Sequence, residues 1–369
     1  MKITTLVVLV AVLACFAAAP ASAWIPNDPG SSGSTPGGWQ ADQWNFLPGT
    51  GVDAPRAWDN LIAAGRPGGK GVKIAVLDSG VAVKRSPDLF GKRFERGYDY
   101  CARVRDEGAR ACSGEDRDPA DSYGHGTHIA STIAESTNNG KGLTGLAYGA
   151  TIIPVKVLNR DGDGDERSIS KGLRYAADRG AQVINLSVQF GASTSSSADI
   201  PKIAAAVRYA RRKGALVVAA AGNVAFDRVA YPAALPGVLS VGAVTENGCR
   251  AAYSNTGAGL DLVAPGGGKD AEDCPAGLPQ GRSILQLAFT KRNRTFRYPR
   301  SYYGTSMAAA HVSAAAALVI ASGVLGPDPT PDQIEARLKA TARDLGAPGP
   351  DEVYGAGLLD AGAATSRGA

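Results

Sequence analysis

A strong excess of charge of either sign is missing from this chain. Its 369 residues hold 39 Lys and Arg against 34 Asp and Glu, which leaves a net charge of +5. Nucleic-acid-binding domains usually present a basic face with interleaved aromatic side chains, and the basic residues here form no such stripe. A composition that is 44% hydrophobic and 20% charged is typical of a folded globular protein. We therefore expect neither a nucleic-acid partner nor a disordered chain.

Long apolar runs are missing after residue 23. Before that point, a positively charged start precedes an apolar run from Leu6 to Ala19, and Ala21-Ser22-Ala23 follows the run. This pattern predicts a secretory signal peptide over residues 1–23, cleaved before Trp24. A lipoprotein signal acylated at Cys15 is the weaker alternative, because the apolar run continues past Cys15. We expect a secreted monomer that lacks a transmembrane anchor, since no later run is long enough to span a bilayer.

Paired C-x-x-C spacings are missing too, which disfavours a zinc site. Four cysteines remain after the predicted cleavage: Cys101, Cys112, Cys249 and Cys274. An even number in an exported chain predicts disulfides, although free buried thiols are the alternative. Four cysteines allow three pairings. We favour Cys101–Cys112 and Cys249–Cys274, because each pair would close one loop.

The order of segments predicts one α/β domain after a short lead-in. Residues 24–43 form the lead-in, and its Gly-, Ser- and Pro-rich part from Asp28 to Gly38 is expected to be flexible and to bury little core. Over residues 44–366, β-branched runs alternate with Ala-rich stretches of helical spacing. Such alternation predicts a parallel sheet with helices on both faces.

The predicted strands are Val72–Leu77, Thr151–Leu158, Val183–Val188, Leu216–Ala221 and Val238–Val244, and the predicted helices are His125–Glu135, Ile169–Arg179, Lys202–Lys213, Ser306–Ser322 and Pro331–Ala342. Thr330 is expected to cap the last helix, with Pro331 at its first position. Sites in such sheets form beyond the carboxyl ends of the strands.

Histidine is scarce, and this scarcity narrows the search for a catalytic base. The chain holds three histidines, His125, His128 and His311. A metal site at His125 and His128 is disfavoured because the H-E-x-x-H pattern is missing. His125 lies between two glycines at the start of a predicted helix, where a substrate could approach it. We interpret His128 as a packed structural residue.

Two further residues, Asp78 and Ser306, are candidates to act together with His125. Asp78 ends a buried strand, where a carboxylate is costly unless a partner such as a general-base histidine pairs with it. Ser306 begins the Ala-rich helix, where backbone N–H groups and the helix dipole favour developing negative charge. Each residue has a simpler interpretation, Asp78 as a turn cap and Ser306 as a helix N-cap. The order Asp, His, Ser is the one known for subtilisin and differs from the orders of chymotrypsin and the α/β-hydrolases.

The residues around these three positions resemble the subtilases, the subtilisin-like serine peptidases. The matching segments are Val76-Leu77-Asp78-Ser79-Gly80, Gly124-His125-Gly126-Thr127-His128, Gly304-Thr305-Ser306-Met307-Ala308, Val183-Ile184-Asn185-Leu186-Ser187, Ala220-Ala221-Gly222-Asn223, Tyr231-Pro232 and Tyr354-Gly355-Ala356-Gly357-Leu358-Leu359-Asp360-Ala361. The resemblance runs from about Trp44 to Ala364. It implies a subtilisin-like fold and a secreted endopeptidase that acts on polypeptides without a catalytic cofactor.

The resemblance also implies the role of each residue in the reaction. Ser306 would attack the scissile carbonyl, His125 would take and return the proton, and Asp78 would orient His125. Asn223 matches the family's side-chain oxyanion donor. Tyr231-Pro232 resembles the family's cis-proline turn.

The substrate-binding residues follow from the same resemblance. Ser187, Val188 and Gln189 match the backbone edge that pairs with an extended substrate. Gly222 follows the strand that leads to Asn223, and Ala230 falls at the base of the primary pocket. Because this base is apolar and small, neutral hydrophobic residues are expected before the cut. The family usually has glycine where Gln189 stands, so the pocket is expected to be narrower or more polar.

A structural calcium ion is a further implication. Asp88 matches a family calcium ligand, and Asn139 lies in the loop that normally completes that site. A hydrogen-bonded surface turn is the alternative, since one carboxylate and one amide would leave carbonyl oxygens to supply the remaining ligands.

Two departures from the family pattern keep a second class of function open. Ala310 stands where the family usually has proline, and the folding prodomain usual in secreted subtilases is not found between the predicted signal peptide and residue 44. A catalytically silent binding protein on a peptidase fold is therefore the alternative. An esterase or lipase is disfavoured, because the chain lacks the G-x-S-x-G elbow and the order Ser, Asp, His.

Overall fold

The computed structural model describes residues 24–33, 35–89, 93–102, 112–289 and 295–368. Among these residues seven strands form one sheet, and every neighbouring pair is parallel. The strands are β1 (Lys73–Asp78), β2 (Tyr98–Asp99), β3 (Thr151–Lys156), β4 (Val183–Leu186), β5 (Leu216–Ala220), β6 (Val238–Val244) and β7 (Leu262–Pro265). Their spatial order is β2-β3-β1-β4-β5-β6-β7. The predicted signal peptide lies outside the described residues.

Helices cover both faces of the sheet, which confirms the predicted fold class. The α-helices are α1 (Trp39–Asp42), α2 (Ala54–Ala63), α3 (His125–Ala134), α4 (Glu166–Asp178), α5 (Pro201–Arg212), α6 (Thr305–Ser322), α7 (Pro331–Ala340) and α8 (Ala361–Thr365). Alternate residues of β1 enter different cores, since Ile74 joins the core containing α3 and α6 while Ala75 joins the one containing α4 and α5. This is the period-2 geometry of a strand buried on both faces.

Helix α6 is the central support of one face. All 18 of its residues are buried, and small alanine side chains let it pack closely against the sheet. The expectation that no run after residue 23 is long enough to span a bilayer is wrong for α6, which among the described residues is the one helix of sufficient length and apolarity, although it lies wholly inside the protein.

The local signals located the long elements to within a few residues. Thr330 caps α7 in a capping box with Gln333, and Pro331 is its first residue, as predicted. β3 ends two residues earlier than predicted, because the N–H groups of Val157 and Leu158 turn to the carbonyl oxygen of Asp78. Helices α1, α2 and α8 and strands β2 and β7 were not predicted. β2 and β7 contain two and four residues, too few to show a period.

Within Asp28–Gly38 the expectation of little buried core holds, since Asp28 and Gly30 are the buried positions among the described ones, whereas the flanking residues Trp24 and Trp39 anchor the lead-in against α2. The Trp39 side chain is fully buried, and its ring centre lies 5.4 Å from that of Trp58 on α2. Trp24 packs against the same Trp58 ring at 5.9 Å, and Asp28 is also buried. The two tryptophans lie on either side of the Gly-, Ser- and Pro-rich part, and two large aromatic rings can hold a segment that is otherwise poor in apolar residues.

Both favoured disulfides are present. Cys101 is bonded to Cys112, and Cys249 is bonded to Cys274. The favoured near-neighbour pairing is confirmed.

Candidate active site

The sheet order brings three chain segments together at one edge. β1 lies beside β4, and β4 lies beside β5. Because all three strands are parallel, their carboxyl ends carry Asp78, Ser187 and Asn223 to neighbouring positions. The chain leaves β1 towards β3 on one side and reaches β4 on the other, which is the kind of switch point where α/β sheets form their sites.

Asp78 and His125 form a hydrogen-bonded pair at this edge. His125 Nδ1 lies 2.8 Å from Asp78 Oδ1 and 2.9 Å from Asp78 Oδ2. The carboxylate is fully buried, whereas 17% of the His125 side chain is exposed. Gly126 makes this approach possible, since a Cβ at its position would lie 2.2 Å from the carbonyl oxygen of Gly80. The pairing fixes the proton of His125 on Nδ1 and leaves Nε2 as an acceptor.

The charge of Asp78 controls the basicity of His125. Burial by itself lowers the pKa of His125, but the charge and hydrogen bond of Asp78, with a smaller contribution from the charge of Asp121, outweigh it and raise the pKa above its ordinary value of 6.5. An imidazole with a raised pKa is a stronger base near neutral pH. The site can therefore take a proton from a neighbouring hydroxyl.

Asp121 is a buried carboxylate that the sequence reasoning missed. It accepts five hydrogen bonds: from Ser79 Oγ, from the N–H groups of Tyr123, Gly124 and Thr127, and from Thr127 Oγ1. These bonds join the turn after Asp78 to the start of α3. Burial raises the pKa of Asp121, and the hydrogen bonds offset part of that rise. An aspartate four residues before a glycine-flanked histidine was the available signal.

Ser306 lies in the first turn of α6 and faces the same cleft. Its Oγ lies 3.5 Å from the carbonyl oxygen of Ser187, and Ser187 Oγ donates to the carbonyl oxygen of Ser306 at 3.0 Å. Ser306 and His125 both line one cavity of about 390 Å³. The buried helix thus presents a hydroxyl group to the cavity that also contains the imidazole.

Asn223 is held by its amide oxygen at the start of α6. Its Oδ1 accepts from the Thr305 N–H at 2.8 Å and from Thr305 Oγ1 at 2.9 Å. A backbone N–H can only donate, so the atom facing Thr305 must be the amide oxygen. The Asn223 NH₂ group is therefore left to donate elsewhere, and Asn223 lines the same cavity as Ser306.

The other two histidines are structural, as interpreted for His128. His128 Nε2 donates to the carbonyl oxygen of Ile284, its ring stacks on Tyr302 at 4.3 Å, and burial lowers its pKa to about 3. His311 lies between Asn45 and the carbonyl oxygen of Met307, and burial lowers its pKa to about 4. Both rings are neutral at physiological pH.

The predicted substrate residues surround the cleft and a neighbouring cavity. Ser187, Val188 and Gln189 line the cavity that contains Ser306. Ala230 lies in a second cavity of about 290 Å³, which Gln189 also lines. Gly222 adopts φ +120°, and a Cβ there would lie 3.1 Å from the Cβ of Ala230. The Tyr231–Pro232 bond is cis, in agreement with the expected turn.

A group of buried acids lies at the far end of α3. Asp88 is 2% exposed, and its Oδ1 accepts from Asn139 Nδ2 at 2.7 Å. Asp28 of the lead-in accepts from the N–H groups of Asn138 and Asn139. Glu135, which follows the last residue of α3, is fully buried. The sequence reasoning named Asp88 and Asn139 but missed Asp28 and Glu135.

Two carboxylate oxygens in this group have no hydrogen-bond partner among the described residues, Asp88 Oδ2 and Glu135 Oε1. Burial, partly offset by Asn139 and reinforced by the charge of Asp28, raises the pKa of Asp88 to about 7. Burial and the charge of Asp88 raise the pKa of Glu135 well above its ordinary value. Such oxygens fit a hard cation, which prefers carboxylate, amide and carbonyl oxygens.

Ala310 does not disturb the helix that carries Ser306. It is fully buried within α6, which runs without interruption from Thr305 to Ser322. Alanine therefore fills this position without breaking the hydrogen bonds that follow the first turn.

Comparisons with known proteins agree with this geometry. The model of the subtilase family matches residues 69–357. Subtilisin BL and Subtilisin Savinase of Lederbergia lenta are each 39% identical over 318 residues, which cover 85% of this chain and 96% of the relative. The extracellular basic protease of Dichelobacter nodosus is 33% identical over 92% of this chain and 56% of its own length. A solved structure of a protease from Pseudoalteromonas arctica PAMC 21717 aligns with a TM-score of 0.72 and 31% identity, and the alignment covers 93% of this chain and 99% of that one.

Proposed function

Because the chain belongs to the subtilase family of serine endopeptidases, we propose that it cleaves polypeptides with Asp78, His125 and Ser306 as its catalytic triad. The observation that carries the assignment is the contact of His125 Nδ1 with both oxygens of the Asp78 carboxylate. His125 and Ser306 line the same cavity. Within the described part of the chain, His125 is the one histidine of the three whose ring is hydrogen-bonded to a carboxylate.

The reaction proceeds through an acyl-enzyme intermediate. As Ser306 Oγ attacks the carbonyl carbon, its proton passes to His125 Nε2, and the carbonyl oxygen becomes an oxyanion. His125 then gives this proton to the leaving amine, which departs as the carbon–nitrogen bond breaks. A water molecule repeats the sequence on the ester, giving its proton to His125 and releasing the carboxylic acid product and free Ser306.

Asn223 and the backbone N–H of Ser306 stabilise the oxyanion. Thr305 holds the Asn223 oxygen, so the Asn223 NH₂ group is available to the developing charge. Donors that are oriented before the reaction lower the barrier because they need no reorganisation during it. The segment Ser187 to Gln189 lies along the cleft, where an extended polypeptide can pair with its backbone.

Labelling with an active-site phosphonate tests this function. The purified protein should be labelled, the Ser306→Ala variant should not, and labelling should weaken as the pH falls and His125 becomes protonated. The same variant should lose peptide hydrolysis by about 10⁶-fold, the magnitude known for this substitution in subtilisin itself. A folded protein that is neither labelled nor active would favour the silent binding protein.

We also propose that the protein is exported and begins at Trp24 after removal of the signal peptide. The backbone nitrogen of Trp24 lies 2.8 Å from Asp59 Oδ1. A new α-ammonium group at this position would meet a carboxylate, which supports cleavage at this bond. The name of the Dichelobacter nodosus relative, an extracellular protease, agrees with export. N-terminal sequencing of the exported protein tests the proposal, and a first residue other than Trp24 would contradict it.

A structural calcium ion is the third part of the proposal. Asp28, Asp88 and Asn139 would hold it, with Glu135 beside them. The ion would take no part in the reaction and would neutralise buried negative charge. The partnerless oxygens of Asp88 and Glu135 support this assignment.

A further inference from the structure

Gln189 crosses the groove between its two walls. It follows the carboxyl end of β4, on the wall formed by Ser187 and Val188, and its Oε1 accepts the backbone N–H of Asn223 at 2.7 Å. Asn223 belongs to the opposite wall, beyond the end of β5. The side chain therefore links two segments that are separated by 34 residues in the chain.

The linked walls lie where two cavities meet. One cavity, of about 390 Å³, contains Ser306 and His125, and the other, of about 290 Å³, contains Ala230. Gln189 lines both of them. The backbone beside it is fixed, since the N–H of Phe190 donates to the carbonyl oxygen of Tyr231 at 2.8 Å. Phe190 and Gly191 also line both cavities, and Gln189 is distinguished from them by the hydrogen bond of its side chain to the opposite wall.

We propose that Gln189 is a specificity-determining residue that restricts the access of large substrate side chains to the primary pocket. The proposal rests on the endopeptidase function given above. While Gln189 is bonded to Asn223, a small residue before the scissile bond fits in the cleft. A large residue reaches the cavity of Ala230 after this hydrogen bond breaks and the glutamine side chain turns outward.

The hydrogen bond between Gln189 and Asn223 is weak enough to break when a substrate binds and strong enough to change the preference between substrates. Gln189 and Asn223 are both exposed, so water replaces their hydrogen bond when the side chain turns. The net contribution of such a bond corresponds to about a threefold to tenfold change in an equilibrium or a rate. The residue therefore shifts preference toward small residues without preventing cleavage after large ones.

The test compares two peptide substrates that differ at one residue. The ratio of kcat/KM for Ala-Ala-Pro-Phe-p-nitroanilide to kcat/KM for Ala-Ala-Pro-Ala-p-nitroanilide is measured in the wild type, Gln189→Gly, Gln189→Ala and Gln189→Glu. We expect the ratio to rise about threefold to tenfold in the Gly and Ala variants. The Glu variant keeps an acceptor oxygen at the same distance and should retain a ratio close to that of the wild type.

Gln333→Ala is the matched control. Gln333 is also exposed, and its Oε1 accepts a backbone N–H, that of Thr330, at 2.8 Å. It lies in α7, none of whose described residues line either cavity. Its substitution removes a bond of the same kind and should leave the ratio unchanged. An equal rise in Gln333→Ala and Gln189→Ala would overturn the proposal, because it would indicate general loosening.

A binding measurement separates failure of this inference from failure of the endopeptidase function. In the Ser306→Ala background, calorimetry gives the Kd of the product peptides Ala-Ala-Pro-Phe and Ala-Ala-Pro-Ala with and without Gln189→Gly. Intact hydrolysis with unchanged ratios would overturn the role of Gln189 alone. A shifted ratio of Kd values in a protein that does not hydrolyse peptides would support Gln189 and overturn the endopeptidase function. Absence of both binding and hydrolysis would overturn both.

Discussion

Helix α3 has buried carboxylates near both of its ends, and the two groups are satisfied in different ways. At its start, Asp121 accepts five hydrogen bonds and Asp78 is paired with His125. At its end, Asp88 and Glu135 each keep one oxygen without a hydrogen-bond partner among the described residues. Both groups lie out of water, where an unpaired charge is costly.

The difference separates carboxylates that position other groups from carboxylates that need a ligand. Where backbone N–H groups and hydroxyl groups surround the carboxylate, it orders its neighbours, as Asp121 does for the segment that carries His125. Where donors are too few, the remaining negative charge is balanced by a proton or by a cation. Matched Asp→Asn substitutions at Asp78, Asp121 and Asp88 test this distinction, because each removes one charge and little volume.

The largest effect is expected for Asp78→Asn. The amide cannot stabilise the imidazolium form of His125, so kcat should fall by about 10⁴-fold. In the wild type, activity is lost as the pH falls through the raised pKa of His125, because the protonated ring cannot accept the Ser306 proton. Without the Asp78 charge, burial lowers the pKa, and the acidic limb of the kcat/KM profile should move to lower pH. An acidic limb that stays in place would show that another group titrates.

A smaller effect, on stability, is expected for Asp121→Asn. The amide presents its NH₂ group to neighbours that are themselves donors, so about 3 kcal/mol of unfolding free energy should be lost. Urea denaturation in the Ser306→Ala background measures this without self-digestion. Asp328→Asn is the control, since Asp328 is exposed and its substitution should stay within about 0.5 kcal/mol. Equal stabilities of the two variants would contradict the positioning role of Asp121.

The smallest effect, which depends on calcium, is expected for Asp88→Asn. Calcium at a hundredfold excess over its Kd should stabilise the wild type by about 2.7 kcal/mol, seen as a higher Tm than in a chelator. The variant should lose most of this gain. In the chelator it should be at least as stable as the wild type, because the substitution removes an unpaired buried charge. A wild-type Tm that does not respond to calcium would show that a proton alone balances these acids.

Local patterns predicted the elements that position the candidate site. The strand ending at Asp78 and the helices starting near His125 and Ser306 are recognisable because long buried segments have strong periods and the small residues around them mark turns. The contacts that anchor the lead-in were not predicted, because each is made by a single residue. Trp39 packs against Trp58 and Asp28 accepts a hydrogen bond from Asn139, and both partners lie far along the chain.

By itself, the sequence determined the parallel α/β architecture and the order of the Asp, His and Ser residues. These features depend on spacing along the chain, which a sequence displays directly. Only the tertiary structure decided which cysteines pair, that Gln189 reaches Asn223, that Thr305 holds the Asn223 amide oxygen, and that Asp28 and Asp88 both bind Asn139. Each of these contacts joins groups from separate segments, and the direction of a side chain is set by the donors, acceptors and free volume that the folded neighbours leave to it.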